Sequence, residues 1–332
     1  MSERVDNSGL LRFERIGFGQ SNITSLISDD SGGARVVRQP PPGVHDSTAH
    51  DVLREARILN ALADTDIPVP KVIGTNASPP FYVMTLMPGA VLERETQAAE
   101  LNWNERAHLG RQVAEVLARL HSIEPASVGL GELGPGTEYL PRQIHRTVRN
   151  WQRWGDESAH SRAWGQVLAR LERDVPRQQR TVVTHGDYRL SNLLVSGGEV
   201  TAVLDWELST RGDPLADLAW LLDDWRGPGE PRAVMPSPTP AGGFPTRSEM
   251  INIYCAATGL DIDRLGYYRA FTHWRAATLL QGVLVRRRSG VMGEHGSLDF
   301  SELESTIGDL LRDAAELSGT PERCELPEEP KP

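Results

Sequence analysis

Lysine is nearly absent from this chain. Only Lys71 and Lys331 occur in 332 residues, and every other basic side chain except histidine is arginine. A GC-rich genome explains that bias most simply, but it also limits which residue can hold a phosphate. Cysteine is scarce too: Cys255 and Cys324 lie far apart and match no metal or redox spacing. They read as free thiols in a reducing compartment. No apolar run approaches the roughly 20 residues of a membrane span. The start, "MSERVDNSGLLRFERI", lacks the basic opening and apolar core of a signal peptide, so a cytoplasmic location is expected. Positive charge is in deficit, with a net charge of −10 and a pI near 5.4. That argues against nucleic acid and anionic membranes as partners, since both need a basic footprint.

What is present is a soluble-type composition, 39% hydrophobic and 24% charged, in a chain long enough for two lobes. No internal repeat stands out, and no protein partner is evident. Short apolar runs alternate with turn residues at the N-terminal end, and "SDDSGG" (28–33) predicts a hairpin over 22–38. Val52, Leu53, Ala56, Leu59 and Leu62 share one face of a helix over 48–63. "DIPVPKVIGT" and "PPFYVMTLMPG" add a loop and two strands, so residues 1–87 read as a small sheet carrying one helix. Beyond Pro88–Gly89 helices dominate, over 104–123, 143–154, 158–173, 213–225 and 264–288. "TRSE" (246–249) is a capping box that opens one more. The Pro/Gly-rich stretch 226–245 reads as a functional or mobile loop. Residues 317–332 are too polar and proline-rich to pack and read as a disordered tail.

The chemistry concentrates in "VVTHGDYRLSNLLV" (182–195) and "AVLDWE" (202–207). Two apolar strands are interrupted by His185, Asp187, Arg189 and Asn192, groups that are costly to desolvate. The turn "SGGE" (196–199) joins the strands as an antiparallel ribbon, which can bring Asn192 near Asp205. An amide oxygen beside a carboxylate suits Mg²⁺ on a nucleotide. Asp187, outside that pair, could accept a proton from an attacking hydroxyl.

These segments resemble the signature of the aminoglycoside phosphotransferase and choline kinase family, small-molecule relatives of protein kinases. The resemblance implies an α+β, bilobal protein-kinase-like fold, with a β-rich N-terminal lobe (1–87) and a mainly helical C-terminal lobe (88–316). It implies Asp187 as catalytic base, Asn192 and Asp205 as Mg²⁺ ligands, and His185 as a structural member of the loop. "GFGQSNIT" (17–24) occupies the place of the phosphate loop, which assigns Gly17, Gly19, Ser21 and Asn22 to the nucleotide. Glu55 matches the helix glutamate that pairs with a strand base. Thr85 and Met87 match the segment whose backbone meets adenine. Asp213 and Asp217 match residues that hold the catalytic loop.

The strand base is usually lysine in that family, whereas "ARVVRQPPP" offers Arg38. Arginine can hold phosphate bidentately but is not a neutral swap for lysine. Either Arg38 does the work, as in a subgroup whose strand ends in arginine before prolines, or the chain is a nucleotide-binding pseudokinase serving as a regulatory or scaffold module. That subgroup comprises kinase-like domains fused to some acyl-CoA dehydrogenases and their free-standing bacterial relatives. The implied reaction moves the γ-phosphoryl of ATP, or GTP, to a hydroxyl of a small molecule with Mg²⁺. A metal hydrolase built on His185, Asp187 and Asp205 lacks further histidine ligands. His121 reads as a packing residue. Arg189 could meet a substrate anion or a neighbouring acid, and Glu207 shares the side of Asp205. Asp223 and Asp224 are either solvated or line the acceptor pocket.

Overall fold

Strands Arg12–Arg15 (β1), Ile23–Ser28 (β2), Ala34–Gln39 (β3), Val72–Ala77 (β4) and Pro80–Thr85 (β5) form one antiparallel sheet in the order β1-β2-β3-β5-β4. The computed structural model describes residues 11–16, 22–30, 32–42, 51–155, 158–230, 236–289 and 299–318. Strand β3 is covered on both faces at its centre: the adjacent Val36 and Val37, which point to opposite faces, are both buried, and Arg38, on the face of Val36, lies between Thr24 and Tyr82 in the register. Helix α1 (Val52–Leu62) opens on Asp51, whose side chain accepts from the Arg54 N–H. Its apolar stripe is buried as the periodicity predicts, except that Leu53 is half-buried while Ile58 and Glu55 go inside.

A second sheet joins Ala90–Val91 (β6), Leu193–Ser196 (β8) and Glu199–Val203 (β9), and a two-stranded ribbon joins Val182–Thr184 (β7) to Thr210–Gly212 (β10). The helices are Glu95–Ala98 (α2), Trp103–Ser122 (α3), Tyr139–Trp154 (α4), Ser161–Arg173 (α5), Pro214–Asp224 (α6), Arg247–Thr258 (α7), Leu265–Arg288 (α8) and Phe300–Leu317 (α9). Thr246 and Glu249 form the predicted capping box of α7. Helix α4 starts four residues before the predicted boundary, since Pro141 is harmless in a first turn. Trp151, Trp164 and Trp274 stack successively, at 4.7 and 4.9 Å between ring centroids, and lock α4, α5 and α8 together.

Three expectations need correction. Helix α9 was not anticipated, and it carries order to Leu317; the rest of the expected tail, 319–332, lies outside the described residues. Within 226–245, residues 231–235 also lie outside them, but the flanks are packed rather than loose. The Arg226 N–H donates to Thr239 Oγ1 (2.8 Å), Ser237 Oγ to Asp224 O (2.7 Å), and Trp225 Nε1 to Pro245 O (2.7 Å). Cys255 is disulfide-bonded and buried rather than a free thiol, so it gives no support to a reducing compartment; Cys324 is outside the described residues. Among the described residues no helix is long and apolar enough to cross a membrane.

Candidate active site

The interruption between β7 and β8 is a loop whose backbone is held by one buried carboxylate. Asp217, on the first turn of α6, accepts the His185 N–H (2.6 Å) and the Gly186 N–H (2.9 Å). His121 on α3 completes it, with Nε2 at 3.3 Å from Asp217 and Nδ1 at 2.7 Å from the Tyr254 hydroxyl. Burial opposes the charge on Asp217, but His121, His185 and the Gly186 N–H together outweigh it and hold the carboxyl below its usual range. Gly186 has φ +88°, and a Cβ there would lie 2.8 Å from Leu208 O, so the turn requires glycine. The His185 ring sits against Trp206 and has Nε2 2.8 Å from Leu204 O, which ties the loop to the end of β9.

That arrangement presents Asp187 and Asn192 to a common space. Both hydrogens of the Asn192 amide are used, one on Asp187 O and one on Asp187 Oδ2, each at 2.8 Å. The amide oxygen is what Asn192 can still offer a cation. Trp220 Nε1 donates to the other carboxylate oxygen, Asp187 Oδ1, at 2.6 Å. Leu193 pairs with Val203, and the Leu204 N–H donates to Asn192 O at 2.8 Å, so Asn192 and Asp205 sit side by side at the ends of β8 and β9. Asp205 adopts φ 65°, uncommon for a residue with a side chain and most tolerable for Asp or Asn.

From the N-terminal sheet, Arg38 reaches across to meet these groups. Its Nε is 2.8 Å from Glu55 Oε2, its Nη2 is hydrogen-bonded to Asp205 Oδ1, and Glu207 Oε2 lies 3.9 Å away. Glu55, 2% exposed, also accepts from Asn22 Nδ2 (2.5 Å) and the Tyr82 hydroxyl (3.2 Å). Three carboxylates thus share one guanidinium. Burial works against the charge on Arg38, but Glu55 and Asp205 more than offset it and raise its pKa. Burial pushes the most enclosed acid, Glu55, up to about 7, with Asp205 and Glu207 adding to the shift against the pull of Arg38. The excess negative charge, together with the oxygens of Asn192 and Asp205, fits a divalent cation of the Mg²⁺ type held partly by phosphates. Among the described residues no group of three His, Cys, Asp or Glu could hold a metal by itself.

Asn22, Arg38, Asp187, Asn192 and Asp205 line one cavity of about 500 Å³, with Pro70, Met84 and Val91 on its apolar wall. Thr85 and Met87 are not part of that lining; the Thr85 N–H is already donated to Lys71 O at 2.9 Å. Gly17, Gly19 and Ser21 lie outside the described residues. Arg189 lines the cavity, is 7% exposed, and sits 3.4 Å from Asp224. Asp223 and Asp224 are half-buried and paired with bases rather than freely solvated. Asp223 meets Arg269 (2.9 Å), His273 (3.1 Å) and the Thr272 hydroxyl. Asp213 caps α6 and accepts from the Tyr268 hydroxyl at 2.7 Å. Sequence reasoning missed Tyr82 and Trp220. The usable signal for Trp220 was its i,i+3 spacing from Asp217 on a helix.

Comparison with known proteins identifies the family and the fold. Residues 12–236 match the phosphotransferase enzyme family, so the chain belongs to that family. It is 33% identical over 321 residues to mouse acyl-CoA dehydrogenase family member 10, an alignment that covers 93% of this chain but 29% of that much longer protein. A crystal structure from Ralstonia eutropha, described as a candidate aminoglycoside phosphotransferase, is 29% identical with a TM-score of 0.78, covering 96% of this chain and 95% of that one. Aminoglycoside phosphotransferase APH(4)-Ia, in a ternary complex with AMP-PNP and hygromycin B, shares the fold at 17% identity and a TM-score of 0.62, covering 95% of this chain and 98% of its own. The bilobal α+β kinase-like fold is therefore the fold of this protein.

Proposed function

We propose that this phosphotransferase-family protein moves the γ-phosphoryl of ATP, or of GTP, to a hydroxyl of a small molecule in a Mg²⁺-dependent reaction. The observation that carries the reading is the convergence of Asp187, Asn192, Asp205 and Arg38, which Glu55 holds from behind, on one cavity. Asp187 orients the acceptor hydroxyl and takes its proton as the bond to phosphorus forms. Arg38, held by Glu55, grips the nucleotide phosphates, with Asn22 and the segment from Gly17 to Ser21 beside them and the Thr85–Met87 segment beside the base. Asn192 and Asp205 would hold Mg²⁺, which when bound supplies neutralisation of phosphate charge. Catalysis of this kind is chiefly positioning and electrostatics. Binding of AMP-PNP by a structural neighbour supports a nucleotide as donor.

A nucleotide-consumption screen with Mg²⁺ tests the reading, pairing wild type with Asp187→Asn against aminoglycosides, sugars, amino alcohols and hydroxyacyl-CoAs. A signal that vanishes in the variant is expected. The Arg38–Asp205 contact favours one second reading, a nucleotide-binding pseudokinase, because the guanidinium already occupies the carboxylate assigned to the metal. Nucleotide binding without turnover across the panel would select that reading.

A further inference from the structure

The geometry points to Trp220 as a positioning residue that fixes Asp187 for proton transfer, an inference that rests on the phosphoryl-transfer reading above. A carboxylate that serves as base must hold one orientation while leaving lone pairs for the acceptor hydroxyl. Asp187 receives one donor on each oxygen: Asn192 Nδ2 on Oδ2 at 2.8 Å and Trp220 Nε1 on Oδ1 at 2.6 Å. Two such donors fix the plane of the carboxylate and still leave a lone pair on each oxygen.

The two donors come from different parts of the fold. Asn192 belongs to the loop itself, so it would move with Asp187 if the loop shifted. Trp220 belongs to α6, the helix whose Asp217 holds the His185 and Gly186 backbone. Residues 217 and 220 are three apart and share one helix face. One face of α6 therefore fixes the loop twice, at the backbone through Asp217 and at the side chain of Asp187 through Trp220.

The chemistry of an indole suits that place. Its N–H is a donor without acceptor capacity, so it cannot compete for the proton that Asp187 takes. It is also neutral, and it orients the base without the strong stabilisation of the carboxylate that a cation in contact would impose. The ring is itself held: Arg275 from α8 lies over it, 5.3 Å from guanidinium carbon to ring centroid. Trp220 is half-buried, against the full burial of the helix positions just before it, which places it at the edge of the core where the site begins.

Trp220→Phe keeps the ring and removes the N–H. The test uses the full chain with Mg²⁺ and ATP, following phosphate release with water as acceptor, in wild type, Trp220→Phe, Asp187→Ala and the double variant. The expected result is a fall in kcat of roughly ten- to a hundredfold in Trp220→Phe, the scale of one hydrogen bond to a charged group, with KM for ATP and nucleotide affinity unchanged. In the Asp187→Ala background the same substitution should lower the small residual turnover no further, because a residue that acts through Asp187 is silent once Asp187 is gone. The indole N–H resonance of Trp220, assigned by its loss in Trp220→Phe, should lie downfield in wild type and move upfield in Asp187→Ala. Equal losses in both backgrounds, or unchanged kcat in Trp220→Phe, would overturn the role of Trp220 alone. An indole resonance that ignores Asp187→Ala would overturn the hydrogen bond itself. Absence of turnover by wild type both with water and across the acceptor panel would overturn the phosphoryl-transfer reading, and the positioning role with it.

Discussion

Replacing Arg38 by lysine restores the residue usual in the family, yet here it should weaken the site. Arg38 holds Glu55 through Nε and Asp205 through Nη2, two directions that a planar fork serves at once. A lysine ammonium is a single point on a slightly shorter reach and must choose. It should choose Glu55, because that acid is 2% exposed and costly to leave unpaired, whereas Asp205 is 33% exposed and can be solvated. The lost contact to Asp205 should then cost folding only about 1 kcal/mol or less, since water screens an acid of that exposure. Nucleotide should register more. A forked, charge-assisted contact to phosphate is worth about 1.5–3 kcal/mol, so Mg-ATP affinity should fall roughly ten- to a hundredfold. Arg38→Met, which leaves Glu55 buried without its cation, should also destabilise folding, by about 3 kcal/mol. Titration calorimetry with Mg-AMP-PNP and urea denaturation, run on both variants, separate the two effects. A lysine variant that binds nucleotide as wild type does would refute the argument that the fork matters. A methionine variant as stable as wild type would refute the account of Glu55.

Other expectations follow from the same geometry. Asp217→Asn must turn an amide N–H toward a backbone N–H and surrenders buried charge-assisted bonds; unfolding free energy should drop by about 3–5 kcal/mol in urea at neutral pH, and a loss below about 1 kcal/mol would sink the claim that Asp217 holds the loop. Burial raises Asp213 from 3.8 to about 6. The folded state therefore binds more protons than the unfolded one between those values, and stability falls as pH rises through that window, by about 3 kcal/mol in all. Asp213→Asn should flatten that slope, and an unchanged pH profile of the urea midpoint would count against it. Gly186→Ala forces a side chain into a positive-φ turn against Leu208 O and should cost about 2–3 kcal/mol, measurable as a lowered Tm. An alanine variant with wild-type Tm would show that the turn relaxes easily.

Much of the fold was legible because the local signals agreed with one another. The stripe of α3 and the capping box of α7 are short-range patterns, and the structure keeps both. The "SGGE" turn set the β8–β9 pairing and so the neighbourhood of Asn192 and Asp205. Less legible were elements whose reason lies elsewhere in the chain. Helix α9 has an adequate stripe, but its place is decided by packing along α8 and α5. Asp223 and Asp224 look like a solvated acidic pair in sequence, and only partners on α8 and in the loop of Arg189 account for their pairing with bases.

The sequence by itself determined the class of chemistry: the order His-Gly-Asp, Asn and Leu-Asp-Trp-Glu, with the spacing that a ribbon turn allows, defines which atoms can meet. Tertiary structure alone decided how those atoms are held. Arg38 and Asp205 are 167 residues apart and Trp220 is 33 residues from Asp187. No periodicity links such positions, because their meeting depends on how α1 and α6 pack around the cavity and not on local conformation.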